Sequence, residues 1–256
     1  MPNPRVLWLA ALALLTTVAA AWGQRGERSM TVFEPNATYD GRFTFARIAY
    51  GAGIDFSFGG RGGRGGQWSH DYPRAERNFT TILAELTSMR VRNRSSVILT
   101  LDDPELTRFP VAYMAEPGYW NPNEQEVLGL RQYLLKGGLI IFDDFNRGRE
   151  TQNLVAQMSR VLPGMVLLPL DFTHPIFDAF YRIKVIETIH PYSQIPSSYF
   201  GIFVDNDPRQ RLLAIVNVDA DIAEYWEFSA EGMFPIDLSN EAYKLGVNYI
   251  LYALTR

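Results

Sequence analysis

The stretch from Asn121 to Phe145, NPNEQEVLGLRQYLLKGGLIIFDDF, constrains the fold more than any other. It reads as a helix, a Gly-Gly stop and a buried strand that ends in two carboxylates. Asn121 offers a helix cap, Pro122 suits the first helical position, and Glu124 stands where a capping-box acid stands. Val127, Leu130 and Leu134 fall on one face at helical spacing. Gly137 and Gly138 end the helix, because glycine takes the left-handed cap conformation without a steric penalty. Leu139-Ile140-Ile141-Phe142 is an unbroken apolar run, the pattern of a parallel strand covered on both faces. Asp143 and Asp144 then stand at the carboxyl end of that strand, where open α/β sheets place their ligands.

Other segments repeat the pattern. Phe43 to Tyr50 suits a first strand. Trp68 to Pro73 leads into a helix with Phe79, Ile82, Leu83 and Leu86 as its buried stripe. Val97 to Leu101 reads as a strand ending at Asp102-Asp103, and Phe109 to Met114 as another ending near Glu116. Leu154, Val155, Met158, Val161 and Leu162 mark a helix stopped by Pro163-Gly164. Met165 to Leu170 is the next strand, ending at Asp171 and His174. This alternation predicts an α/β fold, a doubly wound and mostly parallel sheet flanked by helices. After His174 the pattern changes. Ser198 to Val204 and Arg211 to Val218 read as an antiparallel hairpin that extends the sheet edge in the C-terminal third. From Ser239 a last helix carries Ala242, Leu245, Gly246, Tyr249, Ile250 and Ala253 on one face.

The N-terminus differs from the rest. Arg5 precedes an uncharged apolar run, and Ala21-Trp22-Gly23 places small residues where a signal peptidase reads. Residues 1–23 are therefore expected to be a signal peptide cleaved before Gln24, leaving no stable membrane span. The alternative is an uncleaved anchor, since the run approaches spanning length. Residues 24–41 read as a flexible leader and 42–256 as a single α/β domain with a Gly-rich loop at 51–67. That loop has neither GK[ST] nor GxGxxG ahead of a helix, so it reads as mobile and not as a phosphate cradle. A net charge of −4 argues against nucleic acid as a partner. The absence of cysteine excludes a lipoprotein anchor, disulfides and thiol chemistry.

Five segments, FTFARIAYG, QWSHDYP, GGLIIFDD, THPIF and LGVNYILYAL, resemble in order and spacing a family of exported bacterial proteins known as domain of unknown function 4159. The resemblance covers nearly all of the chain after the signal segment and implies a periplasmic or extracellular location. It also implies a class I glutamine amidotransferase-like, flavodoxin-like fold, distantly similar to the ThuA-like proteins of sugar utilisation. In that fold the strand after the Gly-rich helix stop leads to a nucleophile elbow. Here Asp143-Asp144 hold that place, with Phe142 and Phe145 where an elbow needs glycine, so thiol hydrolysis of glutamine is excluded. His174 in THPIF resembles the His-Pro-Ile segment of the ThuA-like proteins.

A doubly wound sheet would gather the strand ends. Asp143, Asp144 and His174 are the catalytic candidates, and Trp68, Asp71, Asp102, Asp103, Glu116 and Asp171 the binding candidates. Carboxylates beside an imidazole suit a hard divalent ion or an acid–base pair, and an aromatic beside them suits a sugar face. An Asp after a strand is equally an ordinary cap or turn former, although Asp143 is the one least suited to capping. His70, which follows the first strand and is within reach of the same rim, reads with His190 as a surface or loop residue. Ser69 lacks an elbow context. No cofactor is predicted and no metal assigned, while a divalent metal stays open. The preferred reading is a non-catalytic binding or interaction domain that meets a protein or small molecule in the cell envelope. The alternative is a hydrolase or sugar-processing enzyme using Asp143, Asp144 and His174. The second requires the carboxylates to converge. The first expects them splayed, or spent on backbone N–H groups. The N-terminal reading is checked by sequencing exported material, which is expected to begin at or within a few residues of Gln24; a full-length product retained inside the cell contradicts it.

Overall fold

The computed structural model describes residues 33–51, 66–185 and 188–255. The residues read as a signal segment, the start of the expected leader and most of the Gly-rich loop lie outside the described residues. In chain order the elements are β1 (Phe43–Ile48), α1 (Arg74–Leu86), β2 (Val91–Leu99), β3 (Val111–Ala115), α2 (Glu124–Leu135) and β4 (Leu139–Asp143). Then come α3 (Arg149–Val161), β5 (Leu168–Pro169), β6 (Ser198–Phe203), β7 (Leu212–Val218), α4 (Ile222–Glu227) and α5 (Ile236–Thr255). They build a mixed α/β fold around a seven-stranded sheet of order β2-β1-β3-β4-β7-β6-β5. Strands β2, β1, β3, β4 and β7 run parallel, while β6 is antiparallel to both β7 and β5.

The unbroken apolar run from Leu139 becomes β4, paired with β3 on one side and β7 on the other. Its side chains alternate between two apolar layers. Ile140 and Phe142 join Val127, Leu130 and Leu134 of α2 and Leu154 and Met158 of α3. Leu139 and Ile141 join Phe79 and Leu83 of α1, Trp226 of α4, and Ala242 and Tyr249 of α5. Burial of large side chains on both faces supplies the main driving force, roughly 1.5–3 kcal/mol each. Gly246 makes one close approach possible. A Cβ there would lie 2.5 Å from the Trp226 ring, which stacks on Phe79 at 4.4 Å.

Several boundaries differ from the expectation. Helix α2 is capped by Asn123, which accepts from the N–H groups of Gln125 (2.8 Å) and Glu126 (3.0 Å), while Glu126 accepts from the Asn123 N–H (2.9 Å). Arg160 of α3 holds the residues assigned to the cap: Nη1 donates to the Pro122 carbonyl at 3.0 Å and Nη2 pairs with Glu124 at 2.6 Å. Gly137, at φ 117°, ends the helix as expected. Leu86, expected in the buried stripe of α1, is its exposed last residue. The hairpin is real, but β7 lies inside the sheet beside β4, and the edge belongs to β5, reduced to Leu168–Pro169. Residues 33–41, expected in the flexible leader, run against β2: Asn36 Nδ2 donates to the Ile98 carbonyl at 2.8 Å, and the Ile98 N–H donates to Asn36 Oδ1 at 2.7 Å. Among the described residues, no helix is long and apolar enough to cross a membrane.

Candidate functional site

Parallel pairing puts the carboxyl ends of β1, β3, β4 and β7 on one rim of the sheet. The strand order reverses between β1 and β3, which opens a crevice at that rim. Four acidic residues on the turns there take left-handed backbone angles: Asp71 (φ 63°), Glu116 (φ 46°), Asp144 (φ 60°) and Asp219 (φ 52°). Aspartate tolerates this conformation better than most residues, whereas glutamate does not share that preference.

Arg47 of β1 fixes the segment that carries His70 and Asp71. It is fully buried, forms an ion pair with Glu76, and lies 5.0 Å over the Tyr113 ring. Its Nη1 donates to the carbonyls of Trp68 and His70, both at 2.9 Å. The Trp68 ring is itself buried and stacks on Phe33 at 5.2 Å, so it offers no open face to a sugar. His70, read as a surface or loop residue, stands at the centre of the rim. Its Nδ1 is 2.6 Å from Asp144 Oδ2, 3.6 Å from Glu116 Oε1 and 3.7 Å from Asp71 Oδ1. The ring remains 44% exposed. Ligand atoms of His70, Asp144 and Asp221 lie within 4.8 Å of one another, and so do those of His70, Asp71 and Glu224. Asp71 is 5% exposed; no N–H donor reaches its oxygens, and its carboxyl lies against those of Glu224 and Glu227.

Asp143 is spent on architecture, against the expectation that it is the aspartate least suited to capping. Its carboxylate accepts from Tyr113 Oη (3.0 Å), Asn217 Nδ2 (2.9 Å), and the N–H groups of Ile222 (2.9 Å) and Ala223 (3.4 Å). It thus caps α4, a helix distant in sequence, and only Asp144 of the pair faces His70. Asp221 completes that cap by accepting from the Glu224 N–H at 2.9 Å.

Four other candidates lie away from this group. Asp103 accepts from the Glu105 N–H at 2.8 Å and caps the turn Pro104–Arg108, with Asp102 exposed beside it at the outer strand β2. Asp171 is exposed and closes a turn onto Thr173. His174 is at the opposite end of the sheet, beside Leu139 and Leu212, the first residues of β4 and β7. Asp143 lies about 13 Å further along β4 at the usual strand rise. His174 reaches the far end because the chain turns back after the short β5, and its Nδ1 accepts from the Ile176 N–H at 3.3 Å. Asp221 and Glu224 were missed. Asp219-Ala220-Asp221 follows the apolar run of β7 much as Asp143-Asp144 follows β4, but a hairpin at the sheet edge did not suggest a rim strand.

The charges at the rim are strongly coupled. The Asp144 carboxylate holds the His70 imidazolium and raises its pKa to about 9, against the cost of partial burial. Burial, with repulsion from Asp221 and Asp144, holds the Asp71 carboxyl well above the usual carboxylate range. Burial, with repulsion from Asp144 and Asp143, does the same to Asp221. Burial and Asp144 raise Glu116 to about 7. Burial raises Asp143 to about 6, opposed by its donors Asn217 and Tyr113.

All these shifts are upward, so the folded protein holds protons that unfolding releases, and stability falls as pH rises. The carboxyl contribution is lost from the unfolded value near 4 up to about 7 for Glu116; the His70 contribution is lost as pH passes through about 9. In metal-free buffer the thermal midpoint is expected to fall steadily from roughly pH 5 to pH 9. A midpoint that rises across that window contradicts the electrostatics described.

A search of curated proteins found no match. A family model matches residues 44–254, a span that contains every rim residue named above. The chain therefore belongs to the family described as Domain of unknown function (DUF4159).

Proposed function

We propose that the protein is an exported, non-catalytic binding domain that meets a positively charged ligand at the acidic rim. One observation carries this reading: Asp71, Glu116, Asp144 and Asp221 crowd around a single imidazole. Carboxyl groups gathered in one cleft draw a cation, which takes the place of the protons they otherwise hold. Nucleophilic chemistry has little support beside it. The chain has no cysteine, and Ser69 Oγ donates to the Gly66 carbonyl at 2.8 Å. The parallel order β2-β1-β3-β4-β7 supports reading the sheet as flavodoxin-like or amidotransferase-like, with ligands at the carboxyl rim. The apolar run after Arg5 and the small residues Ala21 and Gly23 support export. The partner is then a small molecule or protein of the cell envelope that offers a cation.

The short contact between His70 and Asp144 favours a second reading. A carboxylate that holds an imidazolium leaves its Nε2–H to act as a general acid toward a leaving group at neutral pH, an arrangement a hydrolase can use. Two measurements separate the readings. Native mass measurement of protein from the exported fraction is expected to show a bound species that unfolding releases and that His70→Gln removes. Assays with chromogenic ester, phosphate-ester and glycoside substrates are expected to show no turnover that depends on His70. Turnover lost in His70→Gln establishes the hydrolase instead. Absence of both bound species and turnover contradicts both readings.

A further inference from the structure

We propose that His70, Asp144 and Asp221 bind a divalent metal ion of the kind that accepts both imidazole nitrogen and carboxylate oxygen, with Asp71 and Glu224 beside it. The inference rests on the rim being the ligand site and gives that cation a chemical class. The turns after β4 and β7 and the turn before α1 supply the donors, and their atoms already lie within 4.8 Å of one another. Tetrahedral coordination at usual bond lengths sets ligand atoms roughly 3.3–3.5 Å apart, so the 2.6 Å contact of His70 with Asp144 opens while the wider pairs draw in.

A second observation supports a cation here. Asp71 is buried, no N–H donor reaches either oxygen, and its carboxyl stands within hydrogen-bond reach of the Glu224 and Glu227 carboxyls alone. Around it stand other carboxylates: Asp144, Asp221, Glu224 and Glu227. A buried carboxylate facing carboxylates is costly unless a cation or a shared proton stands between them. The nearby fixed cations compensate only in part: Arg47 acts on Asp71 from its side and keeps Nη2 without an acceptor, but most of its donors are committed. Arg47 holds Glu76 and the carbonyls of Trp68 and His70. Arg74 pairs with Glu227 and Glu231, and Arg147 with Asp219. His70 remains, bound to Asp144 through one proton. Metal binding replaces that proton with the ion.

The donor set selects the metal. Calcium and magnesium prefer oxygen ligands alone. One imidazole among carboxylates suits zinc or manganese, with zinc the tighter of the two. Three protein donors leave at least one coordination position for an external group, which is how a bound ion would present itself to an anionic ligand atom.

The test is titration of the chelator-stripped full chain with zinc, manganese, magnesium and calcium chlorides, followed by calorimetry and thermal unfolding. Zinc and manganese are expected to bind at one ion per chain, release a proton and raise the midpoint more than magnesium or calcium at equal concentration. Each of His70→Gln, Asp71→Asn and Asp221→Asn is expected to weaken zinc binding by at least about tenfold. Asparagine at 221 retains helix-capping ability, so α4 should survive that change. Asp171→Asn, at an exposed turn, is the control and should bind as the parent does. No saturable uptake by the parent overturns the inference, as does uptake indifferent to His70→Gln and Asp71→Asn. If no ion binds while exported protein still carries an organic species that His70→Gln removes, the metal is disproved and the binding-domain reading stands. Metal binding without any further ligand supports the metal alone.

Discussion

The buried carboxylate of Asp143 is the contact on which the rim depends. It sits at the end of β4 with no exposure to solvent and gathers donors from three other elements: Tyr113 of β3, Asn217 of β7 and the first turn of α4. Removing a charge from water costs several kcal/mol, and only well-placed donors offset it. Here the donors are the means by which neighbouring strands and a distant helix are held in register. Asp144 and Asp221 take their places from this contact, one as the next residue in the chain and the other as the cap of the same helix. A second fixed point faces it across the sheet. Arg47, with its carbonyl acceptors and Glu76, holds His70 and Asp71 over the crevice between β1 and β3. Two buried ionic groups thus fix a partly exposed cluster, an order suited to a preorganised site.

Much of the fold was legible in short-range pattern. The apolar run at Leu139, the helical spacing of Val127, Leu130 and Leu134, and the glycine stop at Gly137 each follow from local conformational preference and burial. What the pattern lacked was pairing. An antiparallel hairpin can lie at a sheet edge or within the sheet, and nothing local to Arg211–Val218 says that β7 adds in parallel to β4. With β7 misplaced, Asp221 and Glu224 were not recognised as rim residues. The cap of α2 was misread because Asn121 and Asn123 both have glutamate three residues on, and Glu124 pairs instead with Arg160 of another helix.

The site was legible in kind and less so in membership. Asp71, Glu116 and Asp144 converge as a doubly wound sheet implies. Asp102, Asp103 and Asp171 are the turn formers that their residue type equally allowed. His174 was misplaced because β5 is too short to carry the chain to the rim. His70 was undervalued because a histidine beside a Gly-rich loop carries no periodic signal, and its position comes from a buried arginine upstream. The division of labour within Asp143-Asp144 is tertiary as well. Both follow the same apolar run, and only the left-handed turn at Asp144 directs one carboxylate to the core and the other to the rim.

That division is the central claim, and equilibrium unfolding of two single variants at neutral pH tests it most directly. Asp143→Asn puts an amide where four donors converge and is predicted to lower stability by about 1–3 kcal/mol. Asp144→Asn removes one of several repelling carboxylates and also the charged contact with His70, two effects of opposite sign, and is predicted to stay within about 1 kcal/mol of the parent. Equal losses in the two variants, or a harmless Asp143→Asn beside a disruptive Asp144→Asn, would contradict the assignment of one residue to architecture and the other to the site.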